Sequence, residues 1–324
     1  MRLLAIVLAL LPLAAHAQCS GRNLIAASSP AARSALQAAA DSVPFATGNL
    51  WHATRGALHI TLVGTYHLDD PRHAATVAAL APDLASAKTL LVEAGPDEVA
   101  ALKADLAANP TRLMHQGPTL PETLTQADWA RLTTAVTERG LPTFLVANMQ
   151  PWYVSTLLAI PACLFDGTAM SDGLDQQLMR VASAAGLPIV ALEPFDTLFT
   201  MFNAMPQEDQ IEMLLETLAT TGALEDDMAQ TLADSYFAGQ NWLFWEFSRQ
   251  QALDQPGADP ARVARLFALI EDLLMTRRNR AWLPVIEAQA AKGPLVVAFG
   301  ALHLAGETGV LNLLARNGWT VTAW

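Results

Sequence analysis

Six short runs of β-branched and aliphatic residues punctuate this chain: "LHITLVG" (58–64), "TLLVE" (89–93), "PTFLVAN" (142–148), "LPIVALE" (187–193), "PLVVAFG" (294–300) and the terminal "WTVTAW" (319–324). Between them apolar residues recur at helical spacing over 74–87, 96–108, 126–139, 172–185, 206–221, 224–250, 260–291 and 306–317. Strands that alternate with helices are expected to run mostly parallel, because a parallel pair needs a long crossover and a helix supplies it. The reading is therefore an α/β fold: a central mixed, largely parallel sheet flanked by helices, with a helical insertion at about 206–291 before the last strands. Within the insertion, "NWLFWEFSRQQ" places Trp242 and Trp245 where amphipathic helices carry packing residues, and "DQPGADP" is a linker.

The N-terminus reads as an export signal. "MRLLAIVLALLPLAAHAQCSG" has one arginine, an apolar stretch short for a membrane span, and Ala15-His16-Ala17 in the small-x-small pattern of a cleavage site. Residues 1–17 are read as a signal peptide and 18–324 as a single domain, periplasmic or secreted, with no later membrane span. Loss of Arg2 takes the formal charge from -12 to -13. Such a surface repels phosphate backbones and anionic lipid, which argues against nucleic acid and membrane surfaces as partners. With 52% hydrophobic and 15% charged residues the chain can bury a large core. Two cysteines occur, Cys19 and Cys163. In an oxidising compartment they are expected to form one disulfide, with free buried thiols as the alternative.

One motif occurs twice. "ITLVGTYHL" and "LVVAFGALHL" are each an apolar strand, a glycine, two residues, then His-Leu. At the carboxyl edge of a parallel sheet, where ligands of open α/β folds bind, these strand ends would deliver His67, Glu93, Asn148, Glu193 and His303. Gly64 and Gly300 permit a tight turn or a positive φ and let a ligand or the backbone come close. Two histidines and a carboxylate suffice to hold a divalent ion, Mn, Co or Zn, with a position open for water; the same groups can also move protons without an ion. Taken singly, each histidine also fits a core or loop role, and His59 and His73 are read that way.

The blocks "VGTYHLDDPRH", "LLVEAGP", "GLDQQLMRVASAAGLPIVALEPFD", "RRNRAW" and "VAFGALHLAGETGVLNLLARNGWTV", in this order, resemble the TraB/GumN family, which is related to the Tiki metalloproteases. The resemblance implies a Tiki/erythromycin-esterase-like α/β domain whose two GxxH motifs and intervening glutamate form the active site, with metal-dependent peptide hydrolysis established for the Tiki branch. Carried onto this sequence, His67 and His303 become metal ligands and Glu93 a ligand or general base. Arg278 and Asn279 would orient a substrate carboxylate or a catalytic glutamate, or make a structural ion pair. Asp175 and Glu193 match as well, Asp175 as a helix residue tying the sheet edge to Arg278, while Asp70 and Arg72 are expected to fix the loop that carries His67.

The expected function is an exported metal-dependent hydrolase, peptidase-like, acting on a peptide or small molecule. The alternatives are a non-catalytic protein that sequesters a peptide or small ligand, and a metal-free His/Glu hydrolase. Haem capture ranks last: six histidines remain after residue 17, and none forms CxxCH or a paired axial site. Neither a Rossmann nor a P-loop pattern is present.

Overall fold

The computed structural model describes residues 19–165 and 172–324. The signal peptide expected at 1–17 lies outside the described residues.

The sheet has six strands: β1 (Leu50–Arg55), β2 (Leu58–Thr65), β3 (Thr89–Val92), β4 (Ile189–Ala191), β5 (Leu295–Gly300) and β6 (Thr320–Ala323), in the order β4-β3-β5-β2-β1-β6. Strands β2, β5, β3 and β4 are parallel, and β1 runs antiparallel to both β2 and β6. This is the mixed, largely parallel sheet of an α/β fold.

Both faces of the parallel part are covered, which is why β3 and β5 are continuous apolar runs. Successive side chains of β5 point to opposite faces. Leu295, Val297 and Phe299 join Ile60, Leu62 and Leu91 beneath the helix Arg277–Ala290, through Trp282, Ile286 and Ala290. Val296 and Ala298 join Val63, Leu90 and Val92 beneath the helices His73–Ser86 and Leu174–Ala184, through Leu80, Leu84, Leu174 and Leu178.

Three expectations change. Strand β1 is absent from the sequence reading, yet it forms a hairpin with β2. Arg55 pairs with Leu58 across a two-residue loop, and Gly56 supplies the positive φ, 62°, that such a turn requires. "PTFLVAN" is not a strand: Thr143–Val146 is a helical turn in which Phe144 is 70% exposed and only Val146 is buried. A short apolar run has no period of its own to separate strand from helix. Asn148 is consequently not at the sheet edge; its carbonyl accepts from the His115 amide. The expected helix 224–250 is two helices, Glu225–Phe237 and Asn241–Leu253, broken where Gly239 takes φ 69°.

The helical insertion lies between β4 and β5. Its last member runs on from Pro260–Glu271 through one π-helical turn, Asp272–Thr276, into Arg277–Ala290. One extra residue in a turn rotates the downstream helix by about 100° against the upstream one. That rotation aims Arg278, Asn279 and Trp282 at the carboxyl ends of the strands.

Cys19 and Cys163 form the disulfide, with Cα atoms 5.5 Å apart across 144 residues of sequence. Next to it, the Leu24 amide donates to Thr231 Oγ1 at 2.8 Å and Asn23 Nδ2 to Asp234 Oδ2 at 3.1 Å, docking the segment on the helix Glu225–Phe237. Among the described residues no helix is long and apolar enough to cross a membrane.

A loop of this length makes the disulfide worth about 5 kcal/mol by chain entropy. The Cys19→Ser/Cys163→Ser protein is expected to unfold at a clearly lower denaturant midpoint than the oxidised wild type. Equal midpoints would show that the N-terminal segment is held by its hydrogen bonds alone.

Candidate active site

In the parallel register Thr65 lies opposite Gly300 and Val92 opposite Ala298. The chain just beyond β2, β3 and β5 therefore converges on one edge. His67 stands two residues past β2, Glu93 one residue past β3, and His303 ends the 3-10 turn Ala301–His303 that comes after β5.

The two motif glycines have ordinary negative φ, so of the roles anticipated for them the positive φ falls away and the close approach remains. What matters is the missing Cβ. At Gly64 it would lie 2.6 Å from Leu304 and 3.0 Å from Ala301, so the second turn packs directly on β2. At Gly300 it would lie 3.1 Å from His67 Nε2, 3.3 Å from Glu93 Oε1 and 3.7 Å from His303 Cδ2. A small space over Gly300 is thus bounded by one imidazole nitrogen, one carboxylate oxygen and the edge of a second imidazole.

Arg278 organises the wall behind that space. Nη2 donates to Glu93 Oε2 and to Glu193 Oε1, both at 2.6 Å, and Nε donates to Glu193 at 3.0 and 3.1 Å. Nη1 donates to the Leu274 carbonyl and to His303 Nε2, both at 3.2 Å. A guanidinium has five N–H donors, and all five are engaged. None is left for a substrate carboxylate, so Arg278 orients glutamates, and its partners are Glu93 and Glu193 rather than Asp175. Trp282 Nε1 completes Glu193 by donating to Oε2 at 2.9 Å.

Glu93 Oε1 also accepts from the Gly300 amide at 2.6 Å. Burial alone would raise the Glu93 pKa, but Arg278, the two histidines and the Gly300 amide outweigh it and hold the carboxyl well below the usual range. The group is a permanent anion and a weak base.

The two histidines are held in opposite states. His67 Nδ1 donates to Asp175 Oδ1 at 3.2 Å, which directs Nε2 toward Glu93 Oε1, 3.9 Å away. Burial opposes its charging, yet the hydrogen bond to Asp175 and the nearby Glu93 prevail and raise its pKa to about 9. His303 donates from Nδ1 to Asn279 Oδ1 at 2.6 Å, and the Asn279 amide is fixed in turn by donating to the Thr308 carbonyl at 2.9 Å. Burial and the facing Arg278 cation keep His303 neutral, its pKa lowered to about 3.

These contacts decide how far the expected metal set fits. Glu93 and Glu193 share one guanidinium and Asp175 stands on His67, so three carboxylates are set against one permanent cation and the site favours a further one. His67 Nε2 and Glu93 Oε1 border the space over Gly300 and fit such an ion. His303 does not complete the set, because Nδ1 is a donor to Asn279 and Nε2 accepts from Arg278. The pair fits a divalent ion; the three-ligand arrangement does not.

Asp70 accepts from the Arg72 amide at 2.9 Å and from its guanidinium at 2.7 and 2.9 Å, and Arg72 reaches Asp234 at 3.2 Å, so the loop after His67 is pinned to the helix Glu225–Phe237. Two supporting residues escaped the sequence reading. A Cβ on Gly173 would stand 2.3 Å from the His67 carbonyl oxygen, so glycine lets the Asp175 helix approach the histidine. Tyr236 donates to the Gly64 carbonyl at 2.9 Å and stacks on Tyr66. For Gly173 the signal was its place just before the helix that carries Asp175; for Tyr236 there was none.

The model of the TraB/PrgY/gumN family matches residues 49–323. The chain belongs to this family. It is also 25% identical over 260 residues to "Uncharacterized protein YbaP" of Escherichia coli (strain K12), covering 80% of this chain and 89% of that protein, and equally similar to YbaP of Shigella flexneri. The family match begins at the turn into β1 and includes every residue described above at the sheet edge.

The two histidine states give opposite pH slopes in the metal-free protein. His67, charged in the fold up to about pH 9, contributes stability that is complete below 6.5 and is lost as pH rises from 6.5 through 9. His303 stays neutral in the fold to about pH 3, so falling pH from 6.5 costs stability, because only the unfolded chain takes the proton. The unfolding midpoint in chelator is expected to decline on both sides of neutrality, and His67→Gln to remove the alkaline decline. An unchanged alkaline decline in His67→Gln would contradict the His67 assignment.

Proposed function

We propose that this chain is an exported hydrolase of peptide-like substrates whose reacting water sits over Gly300 between His67 and Glu93. One observation carries the reading: an oriented imidazole and a permanent carboxylate face the same small opening, and a side chain at Gly300 would fill it. The disulfide and the lack of a membrane-crossing helix among the described residues are compatible with export.

Asp175 holds the Nδ1 proton of His67, which leaves Nε2 as the atom presented to the opening, the orientation that second-shell carboxylates give to ligating and catalytic histidines. Arg278 neutralises one oxygen of Glu93 and leaves Oε1 forward. Glu193 and Trp282 keep the guanidinium from turning toward that oxygen. Asn279 and Arg278 immobilise His303 as a neutral, buried wall that shields the pair from solvent on that side. A divalent ion, Mn, Co or Zn, held by His67 Nε2 and Glu93 Oε1 would acidify a bound water and polarise the scissile carbonyl. With its carboxyl held so acidic, Glu93 acts as a ligand and orienting acceptor; His67 Nε2 would be a ligand where an ion is bound, and without one His67, protonated up to about pH 9, can give its Nε2 proton to a leaving group.

The test is digestion of a complex peptide mixture, read by mass spectrometry, with wild type, Glu93→Gln and His67→Ala, each after chelation and after return of Mn, Co or Zn. Cleavage by wild type that falls at least about 100-fold in both variants supports the reading. Cleavage undiminished in both would overturn it.

A further inference from the structure

The helical insertion encloses a second feature, apart from the sheet edge. A cavity of about 460 Å³ lies among the helices Gln207–Ala219, Glu225–Phe237, Asn241–Leu253 and Pro260–Glu271. That volume is within the range of small-ligand sites, and the interior of a helix bundle is a usual place for one. Its walls are mainly apolar, with Trp245 and Phe267 meeting edge to face at 5.1 Å. Trp245 therefore lines an opening as well as packing between helices.

Two residues indicate what the cavity takes. Leu302 forms part of the wall, and it belongs to the turn Ala301–His303, directly between Gly300 and His303. The cavity thus touches the second GxxH turn. Glu216 is the other. It is half-buried on the wall and makes no hydrogen bond or ion pair among the described residues, since Arg262 beside it pairs with Glu212. Burial raises its pKa, with Arg262 opposing and Glu212 adding to the rise. A half-buried carboxyl without a donor favours an occupant that brings an N–H, and disfavours an anion such as a fatty acid.

We propose that this cavity receives the apolar side chain of a peptide-like substrate, aromatic or branched aliphatic, with Glu216 accepting from an amide N–H of the same segment. The proposal rests on the hydrolase reading and adds to it a preference for apolar residues near the scissile bond. Polar or acidic side chains would lose solvation against the largely apolar wall that Trp245, Phe267 and Leu302 form. Preference is then set by the insertion, while the sheet edge supplies the chemistry.

Binding can be read without turnover. N-phenyl-1-naphthylamine, a neutral aromatic amine, is titrated into the full mature chain and its fluorescence monitored. Wild type is expected to bind one equivalent saturably. Ala252→Phe and Ala219→Phe, both on the cavity wall, are expected to weaken binding about tenfold or more at an unchanged unfolding midpoint, and Glu93→Gln to leave it unaltered. Two variants at separate helices guard against one that misfolds. Acetyl-Leu-Phe-amide should displace the probe at a concentration about tenfold lower than acetyl-Ser-Gln-amide. Absence of saturable binding, equal binding by both folded filling variants, or equal competition by the two dipeptides would overturn the proposal. Probe capture by a protein that cleaves no peptide supports the cavity as a binding site and overturns the hydrolase reading; cleavage without capture does the reverse.

Discussion

Everything at the sheet edge depends on how one buried guanidinium distributes its five donors. Arg278 stabilises two carboxylates and a neutral imidazole at once, in a place from which water is largely excluded. A buried arginine is tolerated only when its donors are all met. Glu93, Glu193, the Leu274 carbonyl and His303 meet them, and in doing so each is fixed in position. Because Arg278 faces only Glu93 and Glu193, and Asp175 adds a third carboxylate beside His67, the remaining negative charge appears at the front of the site, on Glu93 Oε1 and Asp175. His67 answers it with a proton in the metal-free state, and an ion there would answer it in the same way.

The fold places these groups by simple means. Parallel strands put three chain ends at one edge, and glycines allow the turns and the Asp175 helix to come within contact distance. The π turn gives the helix Arg277–Ala290 the rotation that brings Arg278 over the strands. The loop after His67 is held from the side by Asp70, Arg72 and Asp234, and Asp234 also takes Asn23 from the disulfide-bonded N-terminal segment. The sheet edge is therefore connected through hydrogen bonds to the start of the described chain.

Much of this was legible in the sequence, for a physical reason: buried parallel strands are written as apolar runs, and the residues just after them stand at the carboxyl edge of the sheet. His67, Glu93, Glu193 and His303 were found that way. Strand β1 was not, because "LWHATR", which lies between β2 and β6, has mixed polarity and its main signal was the Gly56 turn. "PTFLVAN" misled because seven residues with four apolar side chains fit a strand and a helical turn equally well. The roles within the site were less legible still. Which nitrogen of His303 is free, and whether Arg278 has a donor to spare, depend on contacts between residues 24 or more positions apart. No local pattern encodes these.

The central claim is that the space over Gly300, between His67 Nε2 and Glu93 Oε1, is where the reaction occurs. The most direct measurement is the peptide-cleavage rate of Gly300→Ala beside its unfolding midpoint. Gly300 has φ −49° and ψ 132°, so alanine brings no positive-φ strain to the backbone. The expected result is a midpoint near that of wild type and cleavage lost by about 100-fold or more, because the new methyl stands 3.1 Å from Nε2 and 3.3 Å from Oε1. A folded Gly300→Ala protein that cleaves at the wild-type rate would contradict it.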